Sequence, residues 1–484
     1  MPLSFSFWGH AWSVEWVVLW TDALLYVLIV AAVLLALYIR RHPPLQRPWS
    51  RVVRSPMAMG AAVILAAYAA IGLLDSVHVR LPIAPVKGST VRYYSPELLS
   101  VFDLIAGPLR THTEYSYSAP FATRLYTQET VRLPDGQTRR EYPRLKYGGA
   151  GLKSAAELGG DVCARVARAL AEAGAAWLVA AAALTWRLAR RHRCAVWQMA
   201  LRCLRGDTQV PWRTIGLTFG VVLALGWSAG ALCTHYHILG TDEVGRDVFY
   251  LSLKSVRTGL VIGTVTTLVM LPFALALGIS AGYFRGWVDD VVQYVYTTLN
   301  SIPGVLLIAA AVLILQSYMD RHAGLYDTVA ARADMRLLFL CLILGITSWT
   351  GLCRLLRGET LKLCEADYIQ AARAFGVGHG RIITRHILPN VMHIVLISVV
   401  ADFSSLVLAE AVLSYVGVGV DPSTISWGNM INSARLEMAR QPAVWWPLAS
   451  AFIFMFALVL SANLFADVVR EALDPRTKGR GGER

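Results

Sequence analysis

Side chains able to do chemistry lie at a few places in a largely apolar sequence. Asp402 sits inside a long apolar run, and a helix there would put Ser398, Asp402 and Ser405 on one face. A carboxylate in such a run is costly to bury in lipid, so this face either lines a pathway or packs against another helix. Asp242, Arg246 and Asp247, with Gly245 allowing a turn, form a compact cluster after another apolar run. That cluster is read first as a local ion pair and cap, and second as an outer gate or docking point. Glu410 and Trp427 stand near an expected outer membrane surface, either sealing a pathway or serving as a snorkelling acid and an interfacial aromatic.

Other chemistries lack their residues. No Gly-x-x-x-x-Gly-Lys-Ser/Thr loop is present, so ATP chemistry must come from another chain. There is no His/Glu pair at zinc spacing and no Gly-x-Ser-x-Gly elbow, and histidines such as His112 and His235 read as surface or structural groups. The seven cysteines are scattered without a Cys-x-x-Cys pair and read as packing residues. The expectation is a non-enzyme with no cofactor and no metal.

The elements that must position these residues are membrane helices. The chain of 484 residues is 56% apolar and only 16% charged, too little polar surface for a soluble globule of this length. About nine runs approach the roughly 20 apolar residues a spanning helix needs. They cover Thr21–Ile39, Met57–Leu74, Leu170–Leu188, Thr214–Cys233, Gly259–Tyr283, Val291–Gln316, Leu337–Leu356, Val391–Leu413 and Pro447–Val469. Lys plus Arg exceeds Asp plus Glu by 45 − 32 = 13, and much of that excess falls in two linkers, Arg40 to Arg54 and Arg187 to Arg213. Arginines at span exits indicate cytoplasmic anchors and contact with membrane lipid, not a nucleic-acid face. The N-terminus is then outside and the basic C-terminus cytoplasmic. The first run lacks a basic start and a small-residue cleavage site, so it is expected to be retained. Residues 75–168 form an extracytoplasmic segment in which Thr127–Leu133 and Gln137–Tyr142 flank Pro134-Asp135-Gly136, predicting a β-hairpin.

Between the seventh and eighth runs the chain reads Glu365-Ala-Asp-Tyr-Ile-Gln-Ala-Ala-Arg-Ala-Phe-Gly376 and continues to Leu388-Pro389-Asn390. This resembles the EAA loop of ABC importer permeases. Ala371, Ala372, Gly376, Leu388 and Pro389 fall in the family's register, while Gln370 stands where the name-giving Glu would be and His386 where an Ile would be. Ala366, Ala371, Ala372 and Ala374 predict a short helix with small side chains, able to lie close in a groove of another protein. Gly376 would end it with a left-handed turn. Ile383 and Ile387 would face the protein's own bundle, and Pro389 would open the eighth span.

The flanks extend the resemblance over about Thr214 to Arg476. His235 to Asp247, Ala281-Gly-Tyr283 to Asp289, Glu410 to Gly419, Ser426-Trp427-Gly-Asn-Met430, Asn463 to Arg470 and Leu473 to Arg476 are similar to the C-type permease of the dipeptide, oligopeptide and nickel importer group. The resemblance implies an all-α polytopic membrane protein of the bacterial inner membrane, with a type I importer core of about six helices at 214–476. The loop at 359–390 would couple to the ATPases through Glu365, Ala366, Asp367 and Gln370 as well as the residues in register. A heterodimer with a second permease, two cytosolic ATPases and an extracytoplasmic solute-binding protein is implied. Residues 1–213, with three further spans and the 75–168 segment, depart from the usual single N-terminal span, and 477–484 would be a cytosolic tail. Nickel or another small solute fits these motifs as well as a peptide does. An ion-gradient transporter using Asp402 is the rival that the loop pattern argues against.

Overall fold

The structure, a computed structural model, describes residues 3–7, 10–41, 43–83, 94–95, 97–132, 138–152, 154–322, 324 and 328–473. It is dominated by helices, and seven of those described are long and apolar enough to cross a membrane. They are Pro56–Asp75, Leu158–His192, Trp212–Cys233, Val248–Phe284, Gly304–Arg321, the run His379–Tyr415, and Trp446–Leu473. The two other expected spans also fold as helices, Trp20–Arg41 and Val329–Cys364.

Two compact units share the chain, and each draws on residues from both sides of position 213. The first comprises 1–16, 49–258 and 425–465. Its helices pack closely where side chains are small. A Cβ on Gly60 would lie 3.5 Å from Thr218 Oγ1. Trp177 donates its indole N–H to the Gly216 carbonyl at 2.8 Å, linking the Leu158–His192 and Trp212–Cys233 helices. Tyr68 donates to the Phe454 carbonyl at 2.9 Å, tying the Pro56–Asp75 helix to the last one. This unit also holds the described strands. Glu129–Arg132 pairs antiparallel with Thr138–Glu141, so the two arms of the expected hairpin form, while its Pro134-Asp135-Gly136 turn lies outside the described residues. Leu3–Phe7 pairs antiparallel with His10–Val17 in a four-stranded sheet, where the sequence reading expected no strand. The alternation Ser4-Phe5-Ser6-Phe7 is the period-two signal for it.

The second unit comprises 17–48, 259–424 and 466–484. Glycines bring its long helices into backbone contact: a Cβ on Gly278 would stand 2.8 Å from the Cys353 carbonyl, and one on Gly345 would stand 3.1 Å from the Thr266 carbonyl. A core of Met270, Ala274, Trp349, Leu352, Leu356 and Val395 fills the space they leave.

One expected span is corrected. Val291–Gln316 is not one helix but two, Trp287–Ser301 and Gly304–Arg321. Pro303 is the cause. It has no N–H to donate and pushes the preceding residue out of helical geometry, and Ile302 is extended at φ −92°, ψ 129°. Pro389 stands in the first turn of the Leu388–Tyr415 helix, as expected, although that helix continues a run begun earlier. The helical run passes through it from His379 to Tyr415, with a π-helical turn at Ile383–Ile387 in which Leu388 N–H reaches back to the Ile383 carbonyl. The wider turn absorbs the hydrogen bond that proline cannot make to the carbonyl four residues earlier.

Candidate functional site

The Glu365–Asn390 segment is built from the end of one long helix, a short helix and the start of the next run. Val329–Cys364 ends at Glu365, and Asp367–Ala374 follows with Ala366 as its N-cap, so Ala366 precedes the short helix instead of lying within it. Its C-terminus is closed by the backbone. Val377 N–H bonds the Ala372 carbonyl at 3.1 Å, Gly376 N–H bonds the Arg373 carbonyl at 3.0 Å, and Gly376 takes φ +74°. That is the Schellman pattern, which a left-handed glycine permits and most side chains oppose.

Burial divides the segment into a root and a display face. Ile369, Ile382 and Ile387 are fully buried in the core of the second unit, with Ala372 and Val377 packed against it. Of these anchors, the sequence reading named only Ile387; Ile369 and Ile382 fall at the buried positions of short helices too brief to show a period. On the other side Asp367, Gln370, Ala371 and Gly376 are exposed, and Phe375 is 87% exposed. Leu388 is half-buried and Pro389 exposed.

The root is tied to the end of the Val248–Phe284 helix and the turn after it. Glu365 pairs with Arg285, which holds its carboxyl below the usual glutamate range. Tyr283 shares a 2.8 Å hydrogen bond with His379 Nδ1, and the Arg373 guanidinium lies 4.6 Å from the Tyr283 ring centroid. In the same unit Arg357 holds Asp289 through both carboxylate oxygens. Gln370, at the position of the missing acid, donates to the Glu365 carbonyl at 3.2 Å.

Residues 274–479 match the family described as the binding-protein-dependent transport system inner membrane component. The glutathione transport system permease protein GsiD of Pectobacterium atrosepticum is 34% identical over 242 residues, which are 50% of this chain and 73% of the relative. The chain belongs to this permease family. An oligopeptide transport system permease protein, OppC of Mycobacterium tuberculosis, is 32% identical over 242 residues, 50% of this chain and 77% of the relative. Among solved structures, the inward-facing MetNI methionine ABC transporter is similar at 16% identity and a TM-score of 0.37, over 46% of this chain and 97% of that one. As an ABC importer permease the protein is a multi-pass transport component, not an enzyme.

The permease's remaining expected site residues separate into different settings. Ser398 and Asp402 are half-buried and Ser405 is exposed, its hydroxyl donating to the Asp402 carbonyl at 2.8 Å. Glu410 is buried and accepts from Ser414 at 2.8 Å, one turn further along. Trp427 is no interfacial aromatic but a core residue, 1% exposed, whose indole N–H donates to the Ser252 carbonyl at 3.0 Å.

Asp242, Arg246 and Asp247 do not form one cluster. Asp242 binds Arg246 through Nε at 2.9 Å and accepts from the Arg246 backbone N–H at 2.8 Å. Asp247 turns away. One of its oxygens accepts from the backbone N–H groups of Phe249 and Tyr250, capping the Val248–Phe284 helix, and the other meets His237 Nδ1 at 2.7 Å. His237 Nε2 lies 3.4 Å from Glu114, whose carboxylate also accepts from the backbone of Lys146, Tyr147 and Gly148. Burial opposes charge on both, but hydrogen bonds win: His237 and the three backbone N–H groups hold Glu114 down at about 2, while Asp247 and Glu114 raise His237 to about 9. Glu114 and His237 escaped the sequence reading because they lie 123 positions apart. A second such group, Asp75, Asp103 and Lys254, was missed too. Lys254 Nζ is 2.5 Å from Asp103 and 3.6 Å from Asp75. Its one local signal is the capping box that Ser100 and Asp103 form.

Proposed function

We propose that this permease forms, with a second homologous permease, the pathway by which an ABC importer takes up dipeptides or oligopeptides, and that the Glu365–Asn390 loop receives the push of two cytosolic ATPases. The observation that carries the reading is the division of the loop: isoleucines root it in the bundle while Ala371 on the short helix and Phe375 at its C-cap stand exposed. Small residues admit close approach, and an exposed aromatic is the kind of anchor that a partner's pocket rewards. An extracytoplasmic solute-binding protein delivers the substrate, with the N-terminus outside and the C-terminus in the cytosol. The names of the glutathione and oligopeptide relatives favour peptides over nickel.

In this reading Ser398, Asp402 and Ser405 line the pathway, because their face is left partly open by the chain's own packing. Asp242 with Arg246 gives the outer surface a fixed turn for gating or docking, Glu410 braces the outer part of its helix, and Trp427 holds the loop that follows. ATP-dependent uptake in proteoliposomes containing the full complex tests the assignment, using short peptides, glutathione and nickel in parallel. Uptake of a peptide is expected, along with loss of ATPase co-purification in Ala372→Glu. Uptake that follows an ion gradient without ATP would reject it in favour of a secondary transporter.

A further inference from the structure

Two openings lie inside the first unit: an apolar one between the Leu158–His192 and Trp212–Cys233 helices, and a polar one past the end of that seam, where residues 147–152 and 234–236 meet Asp161 and Arg165. The polar one, about 220 Å³, is lined by Asp161, Arg165, Thr234, His235 and Tyr236 and bounded by the rings of His112 and Tyr147, stacked at 4.4 Å. The apolar one, about 540 Å³, is lined by Phe219, Val222, Leu223, Gly226, Trp227 and Gly230, with Glu172 at its side.

Helical spacing puts the two openings in line. Asp161, Arg165 and Glu172 fall within about 40° of one another around their helix. On the facing helix the groove residues recur at three- and four-residue steps, and the next member of that series after Gly230 and Ala231 is Thr234, which lines the polar opening. The floor of the groove is open: a Cβ on Gly226 or Gly230 would meet nothing within 4 Å, whereas one on Gly220 would lie 3.0 Å from the Trp177 indole nitrogen. Trp227 closes one side by donating to Glu172 at 2.9 Å. From Phe219 to Ala231 the helix rises about 18 Å, close to the ~15 Å depth of one leaflet's hydrocarbon.

The polar opening carries both signs of charge. Arg165 Nε and the Tyr236 hydroxyl each donate to Asp161 Oδ2 at 2.6 Å. A guanidinium with five N–H donors is suited to phosphate, and a carboxylate with two acceptor oxygens is suited to an ammonium. A purely anionic headgroup would meet the Asp161 charge unfavourably.

We propose that this seam holds one phospholipid with an amine-bearing headgroup, its phosphate at Arg165, its ammonium toward Asp161, and an acyl chain in the groove beside Gly226 and Gly230. The lipid joins a helix of the N-terminal extension to the helix that precedes Asp247.

Native mass spectrometry of the full chain, titrated with phosphatidylethanolamine, phosphatidylglycerol or phosphatidylcholine, tests this. One phosphatidylethanolamine is expected to survive activation that strips other lipids, with phosphatidylglycerol retained at least fivefold less. Arg165→Gln and Gly226→Leu should each lower retention about fivefold or more, Leu178→Phe, off the seam, should not, and soluble phosphoethanolamine should displace nothing. Equal retention of the ethanolamine and glycerol lipids, or unchanged retention in both seam variants, would overturn the proposal. If Arg165→Gln fails to elute as the native chain, Gly226→Leu and the wild-type headgroup comparison decide.

Discussion

The Tyr283 hydroxyl lies 2.8 Å from Nδ1 of His379, joining the end of one long helix to the start of the His379–Tyr415 run. Tyr283→Phe removes that bond while keeping the ring under Arg373. A net loss of about 0.5–1.5 kcal/mol is expected. Denaturant titration of the purified complex reads the loss, and the ratio of solute imported to ATP hydrolysed should fall with it.

Phe375→Ala separates docking from packing. Because the ring is 87% exposed, stability should change by no more than about 0.5 kcal/mol. Pull-down of the ATPase subunits should nonetheless weaken at least tenfold, and undiminished association would remove Phe375 from the interface.

Gly376→Val forces a β-branched residue to φ +74°. A penalty of about 1–3 kcal/mol attaches to such backbone. No side chain crowds the position, since a Cβ there meets nothing within 4 Å, so the effect should come from the turn alone. ATP-driven uptake is expected to drop while membrane insertion is retained. Gly376→Asn, which tolerates the left-handed region better, should recover part of it.

Gly245→Ala is expected to be worse than Gly376→Val. Its φ is also positive, at +77°, and the new Cβ would stand 1.9 Å from the Glu114 carbonyl oxygen. Limited proteolysis between residues 97 and 152 should accelerate strongly in this variant and little in Gly151→Ala, where a Cβ has open space.

Glu114 and His237 set a pH window for the segment they tie together. Glu114 is depressed from 4.5 to about 2, so its contribution is present above pH 4.5 and is lost as pH falls toward 2. His237 is raised from 6.5 to about 9, so its contribution is full below pH 6.5 and is lost as pH rises through 9. Protease resistance of this segment should therefore be flat between about 4.5 and 6.5 and fall on both sides. His237→Ala, which strips a buried charge of its partner, should cost about 3–5 kcal/mol and abolish the alkaline limb.

The loop was readable because its determinants are local. Alanine spacing, one left-handed glycine and a Leu-Pro pair are set by neighbours in the chain, and Gly376 ends the helix where its position demands. The partners that root the loop are not local: Arg285 is 80 positions from Glu365 and Tyr283 is 96 from His379, and no periodicity reports such pairs. The division of Val291–Gln316 into two helices was not legible for a different reason. Hydropathy sums over Pro303 as over any residue, whereas its missing N–H acts on geometry. Asp247 was grouped with Asp242 by proximity in sequence, but its geometry as a helix cap aims it at His237 instead.

Tyr117 donates to Glu437 at 3.2 Å across 320 positions of chain, and both belong to the first compact unit. A ribosome adding about 5–20 residues per second needs tens of seconds to pass from one to the other. Throughout that interval Tyr117 has been made but its distant partner has not, and the long apolar helices between them are still being synthesised. The first unit therefore closes from its two ends, and the segment that carries Tyr117 is among the last parts to reach its final stability.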